Sequence, residues 1–189
     1  MAGPRKENRD RMGERKVYAI ETVGLTKTFR VKRKGKGFAA AVKGLFRPEL
    51  EWKRAVEPID LCAERGEMLA FLGPNGAGKS TTIKMLTGIL HPSGGTAKVL
   101  GLTPWRERQQ LAYRIGTLFG QKSQLWYHLP PIDTFELMRR IYEIGTNDFL
   151  RRRDMLIERF RLQAHLKTPV RRLSLGERMR CELAASLLH

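Results

Sequence analysis

The most informative stretch of this chain is the octapeptide Gly73-Pro74-Asn75-Gly76-Ala77-Gly78-Lys79-Ser80. It matches the pattern G-x-x-x-x-G-K-[ST] of phosphate-binding loops. Glycines allow the backbone to wrap closely around phosphate oxygens, and the N–H groups of the loop and of the following helix form a nest for an anion. The motif predicts that Lys79 bridges the β- and γ-phosphates of a nucleotide and that the Ser80 hydroxyl is a ligand for Mg²⁺.

The residues on either side of the octapeptide predict a strand, a loop and a helix in that order, which argues against a plain glycine-rich turn. Residues 67–72 are a short apolar run typical of a buried strand, and residues 81–90 have helical spacing up to the stop at His91-Pro92-Ser93-Gly94-Gly95. Other strands are predicted at 17–23, 55–62, 96–100 and 115–119, and other helices at 105–113, 134–145, 148–162 and 176–188. A strand-rich first part therefore leads into a helical second part, as in an α/β fold.

Length and composition indicate one ordinary globular domain. The chain has 189 residues, of which 41% are hydrophobic and 29% charged, so disorder throughout is excluded. No apolar run approaches the ~20 residues that a membrane-spanning helix needs, and residues 1–16 lack the apolar core of a secretory signal. Cys62 and Cys181 are too few for a disulfide scaffold, and a reducing, cytoplasmic setting is the default expectation.

The chain is strongly basic. Its 36 lysines and arginines outnumber its 19 acidic residues, which leaves a formal net charge of +17. This charge predicts attraction to anions, namely nucleotides, nucleic acid or a membrane face rich in anionic lipid, and does not choose among them.

The amino-acid sequence around the octapeptide strongly resembles that of the nucleotide-binding subunit of ABC transporters. The resemblance continues from the loop through Lys84-Met85-Leu86-Thr87-Gly88 to Pro92-Ser93-Gly94-Gly95. It implies a P-loop NTPase of the ABC ATPase type, with a β-rich N-terminal part, a parallel core sheet and a helical subdomain. It also implies ATP and Mg²⁺ as cofactors, held by Gly73, Pro74, Asn75, Gly76, Ala77, Gly78, Lys79, Ser80 and Thr81.

Gln121 follows a predicted strand at the point where strands give way to helices. A glutamine by itself indicates little. At this place it resembles the Q-loop glutamine of ABC ATPases, which implies contact with Mg²⁺ and the attacking water, and with Lys79 it completes the expected catalytic pair.

Leu173-Ser174-Leu175-Gly176-Glu177 resembles the ABC signature, whose common form is LSGGQ. The resemblance implies that Ser174 and Gly176 bind the γ-phosphate of ATP held by the opposite subunit, at the start of a helix. Leu175 replaces a glycine, which is tolerable if its side chain points away. Glu177 replaces the glutamine and brings a carboxylate near phosphate, which is unfavourable unless Arg178 or another cation offsets it. The alternative is that Ser174 is a plain helix N-cap, and both roles can hold at once.

Phe29 lies where the family has an aromatic residue that stacks on adenine, and phenylalanine keeps the aromatic face of the usual tyrosine. A core phenylalanine at a strand end is an equally good interpretation. Trp52 or Phe38, both within the long insertion at residues 30–54, are alternatives for the stacking role.

The resemblance covers about residues 17–189 and divides the chain. Residues 1–16 are predicted to be a flexible basic tail, 17–119 the nucleotide-binding core, 120–172 the helical subdomain, and 173–189 the signature with its helix. The stretches at 119–126, 129–130 and 169–176, with the long basic insertion, resemble the ATPases of ABC-2-type exporters.

An ABC ATPase also needs an apolar strand that ends in Asp-Glu, and the 189 residues contain no such run. Residues 56–60 are too short and polar and precede the loop, and residues 131–133 fail likewise. We therefore expect a subunit truncated before this strand, poorly stable alone, that binds ATP and hydrolyses it poorly. A catalytic carboxylate typically contributes ~10²–10⁴-fold to the rate.

The resemblance implies two partners: a second ATPase subunit, with two ATP molecules sandwiched between the two, and a membrane permease. Trp126, Tyr127 and Leu129 are candidates for the permease contact, with a place in the helical core as the alternative. The chain is then expected on the cytoplasmic face of the membrane.

Three other functions are weaker hypotheses. A soluble ABC protein acting on nucleic acid or ribosomes would explain the charge, but the basic runs at 30–36 and 151–153 lack interleaved aromatics for base stacking, so no specific nucleic acid is expected. A non-ABC phosphotransferase does not explain the sequence near Leu173. A non-catalytic chain that regulates a complete subunit is the third.

Overall fold

The computed structural model describes residues 18–32, 50–119 and 123–189, and the predicted basic tail and Phe38 lie outside these ranges. Two compact units are present. Unit 1 comprises the described residues up to Leu86 together with Leu90–Pro104, and unit 2 comprises Thr87–Ile89 together with Trp105–His189. No helix within the described ranges is both long and apolar enough to cross a lipid bilayer.

Unit 1 contains an antiparallel sheet of three strands in the order β2-β1-β3. The strands are β1 (Ile20–Lys32), β2 (Leu50–Ala63) and β3 (Gly94–Val99). The register places Ile20 of β1 opposite both Ala63 and Val99. Strands were predicted at all three places, and β1 and β2 are longer than the sequence indicated.

The pairing of β1 with β2 is irregular between Thr22 and Thr28, where the register shifts three times. Such bulges remove regular ladder bonds, so the freed carbonyl groups need other donors. Two threonine hydroxyls of β1 supply them: Thr22 donates to the Ile59 carbonyl (3.0 Å) and Thr26 to the Val56 carbonyl (2.7 Å).

Helix α1 (Lys79–Leu86) packs on β2 and β3. Its buried residues are Thr82, Met85 and Leu86, whose spacing of three and four residues places them on one face. Met85 and Leu86 of this helix, like Leu25 and Val56 of the sheet, are among the buried apolar residues of unit 1.

Two predicted strands, 67–72 and 115–119, do not form, and those predictions were wrong for this structure. Within the described ranges only antiparallel strand pairs are present, so the expected parallel core sheet is not formed there. A central strand of a parallel sheet needs hydrogen-bonded neighbours, and neither segment has one among the described residues. Met68 and Leu72 are accordingly 97% and 91% exposed. The fold is α/β, with an antiparallel sheet and helices.

Unit 2 is helical after residue 105. It contains α2 (Arg108–Ala112), α3 (Pro131–Ile141), α4 (Thr146–Phe160), a 3₁₀ turn (Val170–Arg172) and α5 (Leu175–Ser186). Each predicted helix is present, with ends shifted by a few residues. The core of the unit consists of Leu125, Phe135, Phe149, Leu156, Leu162, Val170, Cys181, Ala184, Ala185 and Leu188.

Local chemistry fixes the ends of these helices. Pro131 occupies the first turn of α3, where its missing N–H costs no intrahelical bond. Arg161 ends α4 in the left-handed conformation (φ 53°), after which the chain turns toward α5. The start of α5 is fixed by Ser174 and Glu177, so the signature-like residues and the beginning of this helix are the same structural feature.

Candidate functional site

The glycine-rich loop directly precedes α1, and its backbone depends on two glycines. Gly76 and Gly78 both have a φ of 87°, in the left-handed region where a Cβ is strained. Within the loop, the Ala77 N–H donates to the Pro74 carbonyl (3.2 Å). The loop is exposed as far as Ala77, so its backbone amides are accessible to a ligand.

Gly78 also has a packing role, which the phosphate-loop motif does not predict. A Cβ at this position would lie 2.4 Å from the Ala55 carbonyl oxygen and 3.0 Å from Cγ2 of Val56. Both neighbours belong to β2, and one of them is backbone that cannot rotate away. Gly78 therefore brings the start of α1 against the sheet, whereas a Cβ at Gly76 would meet nothing within 4 Å.

Lys79 is the first residue of α1, and its side chain folds back over the loop. Its Nζ donates to the carbonyl oxygens of Gly73 (2.5 Å) and Pro74 (2.8 Å). These bonds hold a positive charge at the concave side of the loop. Phosphate oxygens placed there would compete with the two carbonyls for the same ammonium protons.

Ser80 and Thr81 follow Lys79 in the first turn of α1, and Thr82 hydrogen-bonds back to the loop. Ser80 is exposed and Thr81 is half-buried. The buried Thr82 donates both its N–H (2.8 Å) and its hydroxyl (3.1 Å) to the Gly78 carbonyl. Sequence reasoning did not assign Thr82 a role; the signal was a threonine four residues after a loop glycine, where its hydroxyl reaches back to a carbonyl.

The candidate stacking residues Phe29 and Trp52 lie on opposite faces of the β1–β2 pair. Phe29 is opposite Lys53 and Trp52 is opposite Arg30, and directly opposed residues share a face. Each ring has a cation near it: Lys27 Nζ is 5.2 Å from the Phe29 centroid, and the Arg30 guanidinium carbon is 5.9 Å from that of Trp52. One base on one face can therefore stack on only one of the two rings.

The signature-like residues form a capping box at the start of α5. The Glu177 N–H donates to Ser174 Oγ (3.3 Å), and the Ser174 N–H donates to Glu177 Oε2 (2.8 Å). Leu175 is 68% exposed, and a Cβ at Gly176 would meet nothing within 4 Å. Ser174 is therefore the N-cap of α5, as in the alternative interpretation, and the first turn of the helix beside it is exposed.

Arg178 does not offset the Glu177 charge. Its Nε lies 3.8 Å from Oε1 of the buried Glu182 one turn along the helix. The group near Glu177 is instead His165, whose Nε2 is 3.7 Å from Glu177 Oε1. The pKa of the Glu177 carboxyl is lowered, first because the Ser174 N–H and then its side chain hydrogen-bond to it, with His165 and Arg180 adding a smaller effect.

The remaining candidates are the Q-loop glutamine and the three residues proposed to contact a permease. Gln121 lies outside the described residues. Trp126, Tyr127 and Leu129 are 52%, 58% and 36% exposed, so they are surface residues rather than parts of the core of unit 2. The loop residues 73–82 belong to unit 1 and the signature-like residues to unit 2.

The described residues contain no group of three or more His, Cys, Asp or Glu side chains that could hold a metal ion. This does not disagree with Mg²⁺ at the loop. Hard cations of this kind are held by one or two protein oxygens together with phosphates and water, and the Ser80 hydroxyl is exposed beside the loop.

Comparison with known proteins gives a consistent result. The family described as ABC transporter matches residues 56–189. The daunorubicin resistance ATP-binding protein DrrA3 of Streptomyces coeruleorubidus is 39% identical over 136 residues, covering 72% of this chain and 43% of that protein. The ABC transporter ATP-binding protein NatA of Bacillus subtilis is 30% identical, covering 72% of this chain and 55% of that protein.

A solved structure described as an ATP binding subunit of an ABC transporter superposes with a TM-score of 0.69 at 23% identity, covering 90% of this chain and 62% of the other. At this identity the likeness establishes the fold. The chain spans about half the length of the curated relatives named above.

Proposed function

The chain belongs to the ABC transporter family, and on that premise we propose that it is the ATP-binding part of a transporter's ATPase subunit. The observation that carries the proposal is the loop at 73–80. Left-handed glycines expose its amides, and the Lys79 ammonium is held over its concave side.

In this proposal each loop residue has a defined task. The backbone N–H groups of residues 73–78 and the start of α1 bind the β- and γ-phosphates, and Lys79 exchanges its carbonyl partners for phosphate oxygens. Ser80 and Gln121 would hold Mg²⁺, which neutralises phosphate charge when bound. Thr81 lies at the loop end beside the phosphates, and Phe29 stacks on the adenine.

The start of α5 is proposed to bind the γ-phosphate of ATP on a second ATPase subunit. The Leu175 and Gly176 N–H groups lie in the first turn, where helix geometry provides no intrahelical acceptor. Ser174 Oγ accepts a bond from the Glu177 N–H, and its hydroxyl, which also hydrogen-bonds to the Glu177 carboxylate, would exchange that partner for a phosphate oxygen. These donors and the helix dipole all favour an anion.

We further propose that the subunit acts with a membrane permease on the cytoplasmic face of the membrane. The exposed Trp126, Tyr127 and Leu129 are the proposed permease contact, since their apolar surface is unusual for a water-facing loop. Export is favoured over import because one relative is named for daunorubicin resistance.

Hydrolysis by these 189 residues alone is expected to be slow. They contain no apolar run ending in Asp-Glu, so neither a general base nor a second Mg²⁺ ligand of that kind is present among these residues. The missing carboxylate corresponds to a rate lower by ~10²–10⁴-fold.

The test is calorimetric titration of Mg-ATP into the 189-residue chain and into Lys79→Ala, with turnover measured in parallel. Lys98→Ala is the matched control, because Lys98 lies on β3 and donates to Thr103 (2.9 Å) rather than to the loop. We expect binding by the wild type and by Lys98→Ala, loss of binding in Lys79→Ala, and little turnover. Absence of binding in the wild type, or equal binding in both variants, contradicts the proposal.

A further inference from the structure

The outer ends of β1 and β2 form a two-stranded ribbon, which comprises residues 28–32 and 50–54. The register pairs Thr28 with Arg54 at one end of the ribbon and Lys32 with Leu50 at the other. β3 pairs with β1 only as far as Thr26, so among the described residues no third strand continues along the ribbon. The ribbon therefore extends beyond the sheet, and a lone pair of strands gains stability by contact with another surface.

One face of this ribbon combines apolar and cationic side chains. Directly opposed residues share a face, so Arg30 and Trp52 lie together, and Leu50 and Arg54 are each two residues from Trp52 along β2. We call these four residues the Trp52 face. Trp52 is 69% exposed and Leu50 is 42% exposed, so a large apolar area of this face is in contact with water. The Arg30 guanidinium lies over the exposed Trp52 ring.

The charge on the Trp52 face is positive. Arg30 and Arg54 are its two ionised side chains, and Arg54 donates to Glu57 (2.9 Å) in a pair whose side chains are both more than half exposed. Water screens this pair, so another anion can compete for the guanidinium. Glu51 is the one acidic residue within 28–32 and 50–54, and it lies opposite Val31 on the other face. The Trp52 face is therefore complementary to a partner that is anionic and also offers an apolar layer.

The size of the Trp52 face distinguishes between possible partners. The ribbon is two strands wide and about five residues long, on the order of 10 Å in each direction, whereas a specific protein interface buries about 800 Å² on each partner. Single-stranded nucleic acid is bound by several rings on which successive bases stack, and this face carries one ring. An anionic bilayer needs neither, because tryptophan lies at the level of the headgroups and arginine binds lipid phosphate.

We propose that the Trp52 face binds the surface of a membrane rich in anionic lipid. Trp52 and Leu50 enter the headgroup layer, and Arg30 and Arg54 bind lipid phosphates. The net charge of +17 attracts the chain to the same surface. Phe29, on the opposite face of the ribbon, stays available for adenine. The inference goes beyond the proposed function, since neither a nucleotide nor a permease takes part in this contact.

The test is co-sedimentation of the 189-residue chain with lipid vesicles at physiological salt and without nucleotide. One set of vesicles is phosphatidylcholine alone, and the other contains an equal part of phosphatidylserine. Trp52→Thr removes the ring and keeps a residue that favours strands, and Arg30→Gln removes one charge. Lys98→Gln is the matched control, because it removes one charge from a residue opposite Glu21, at the other end of β1. Circular dichroism checks that each variant folds.

The wild type should bind the vesicles with phosphatidylserine and hardly bind phosphatidylcholine alone. Arg30→Gln should weaken this binding about fivefold, which corresponds to ~1 kcal/mol for one cation near the membrane surface. Trp52→Thr should weaken it roughly tenfold, because the apolar area of the ring no longer leaves water. Lys98→Gln should change it by less than about twofold, since the two ends of β1 are roughly 30 Å apart and salt screens charges beyond ~8 Å.

Three results would overturn the inference. The first is a wild type that does not bind vesicles with phosphatidylserine. The second is equal binding by the three variants, which means that the net charge alone attracts the chain. The third is binding of a single-stranded oligothymidylate that depends on Trp52 without any binding of vesicles, which assigns the face to nucleic acid. Each of these results leaves the proposed function standing, because the titration with Mg-ATP tests that function separately.

Discussion

Replacing Gly78 with alanine should destabilise unit 1 more than the same change at Gly76. Both glycines have a φ of 87°, so alanine at either position carries the same left-handed strain, about 1–2 kcal/mol. Only at Gly78 does the new Cβ lie 2.4 Å from the Ala55 carbonyl oxygen. Ordinary van der Waals contact of a Cβ begins at 3.4 Å, so the start of α1 must move away from β2. Overpacking of this kind costs about 1–3 kcal/mol more.

The assay is urea unfolding of the two variants, monitored by circular dichroism and by hydrogen exchange of β2. Gly78→Ala should lose about 2–5 kcal/mol in total, and Gly76→Ala about 1–2 kcal/mol. The difference between the variants isolates the contact with β2, because the backbone strain cancels. Equal losses of stability would refute the view that Gly78 is required for packing as well as for loop shape.

Other substitutions test the core, the nucleotide contact and the helix cap. Phe135→Ala should lower the free energy of unfolding by about 3–5 kcal/mol in a denaturant titration, since Phe135 is fully buried. Phe29→Leu should weaken ATP binding roughly fivefold or more in a fluorescence titration, and Trp52→Leu should not, because the two rings lie on opposite faces. Since the folded-state pKa of Glu177 is lowered, its stabilising effect is present above the unfolded pKa and is lost as pH falls through the folded value; Glu177→Gln should flatten acid unfolding curves in this range.

The sequence predicts an element of this structure best when the residues that determine the element lie within the same segment. The helices of unit 2 were predicted because the apolar spacing that indicates a helix lies within each segment. Pro131 was not used as a signal, and the helix that it begins starts three residues before the predicted Thr134. The phosphate loop was predicted for the same reason, since the motif specifies its own backbone. The family resemblance placed both features in one known fold, and the comparisons confirm the family.

The prediction of a strand at residues 67–72 was wrong, because an apolar run indicates only that a segment can be buried. Whether it becomes a strand depends on neighbours with unpaired backbone groups, and those are set by the rest of the sheet. The exposure of Met68 and Leu72 follows from the lack of such neighbours among the described residues.

The surroundings of Glu177 show a second limit. The sequence analysis gave an N-cap at Ser174 as the alternative to the signature role and named Arg178 or another cation as the counter-charge. The structure pairs Arg178 with Glu182 and brings His165 to Glu177. The partner is twelve residues away across a turn, so no helical periodicity links the two.

The central claim, that residues 73–82 bind the phosphates of ATP, is tested most directly by hydrogen–deuterium exchange of the 189-residue chain with and without Mg-ATP. We predict that amide protection on adding nucleotide is centred on Gly73–Thr82, and that Lys79→Ala abolishes it. Protection confined to other segments, or exchange at 73–82 that nucleotide does not alter, would contradict the account.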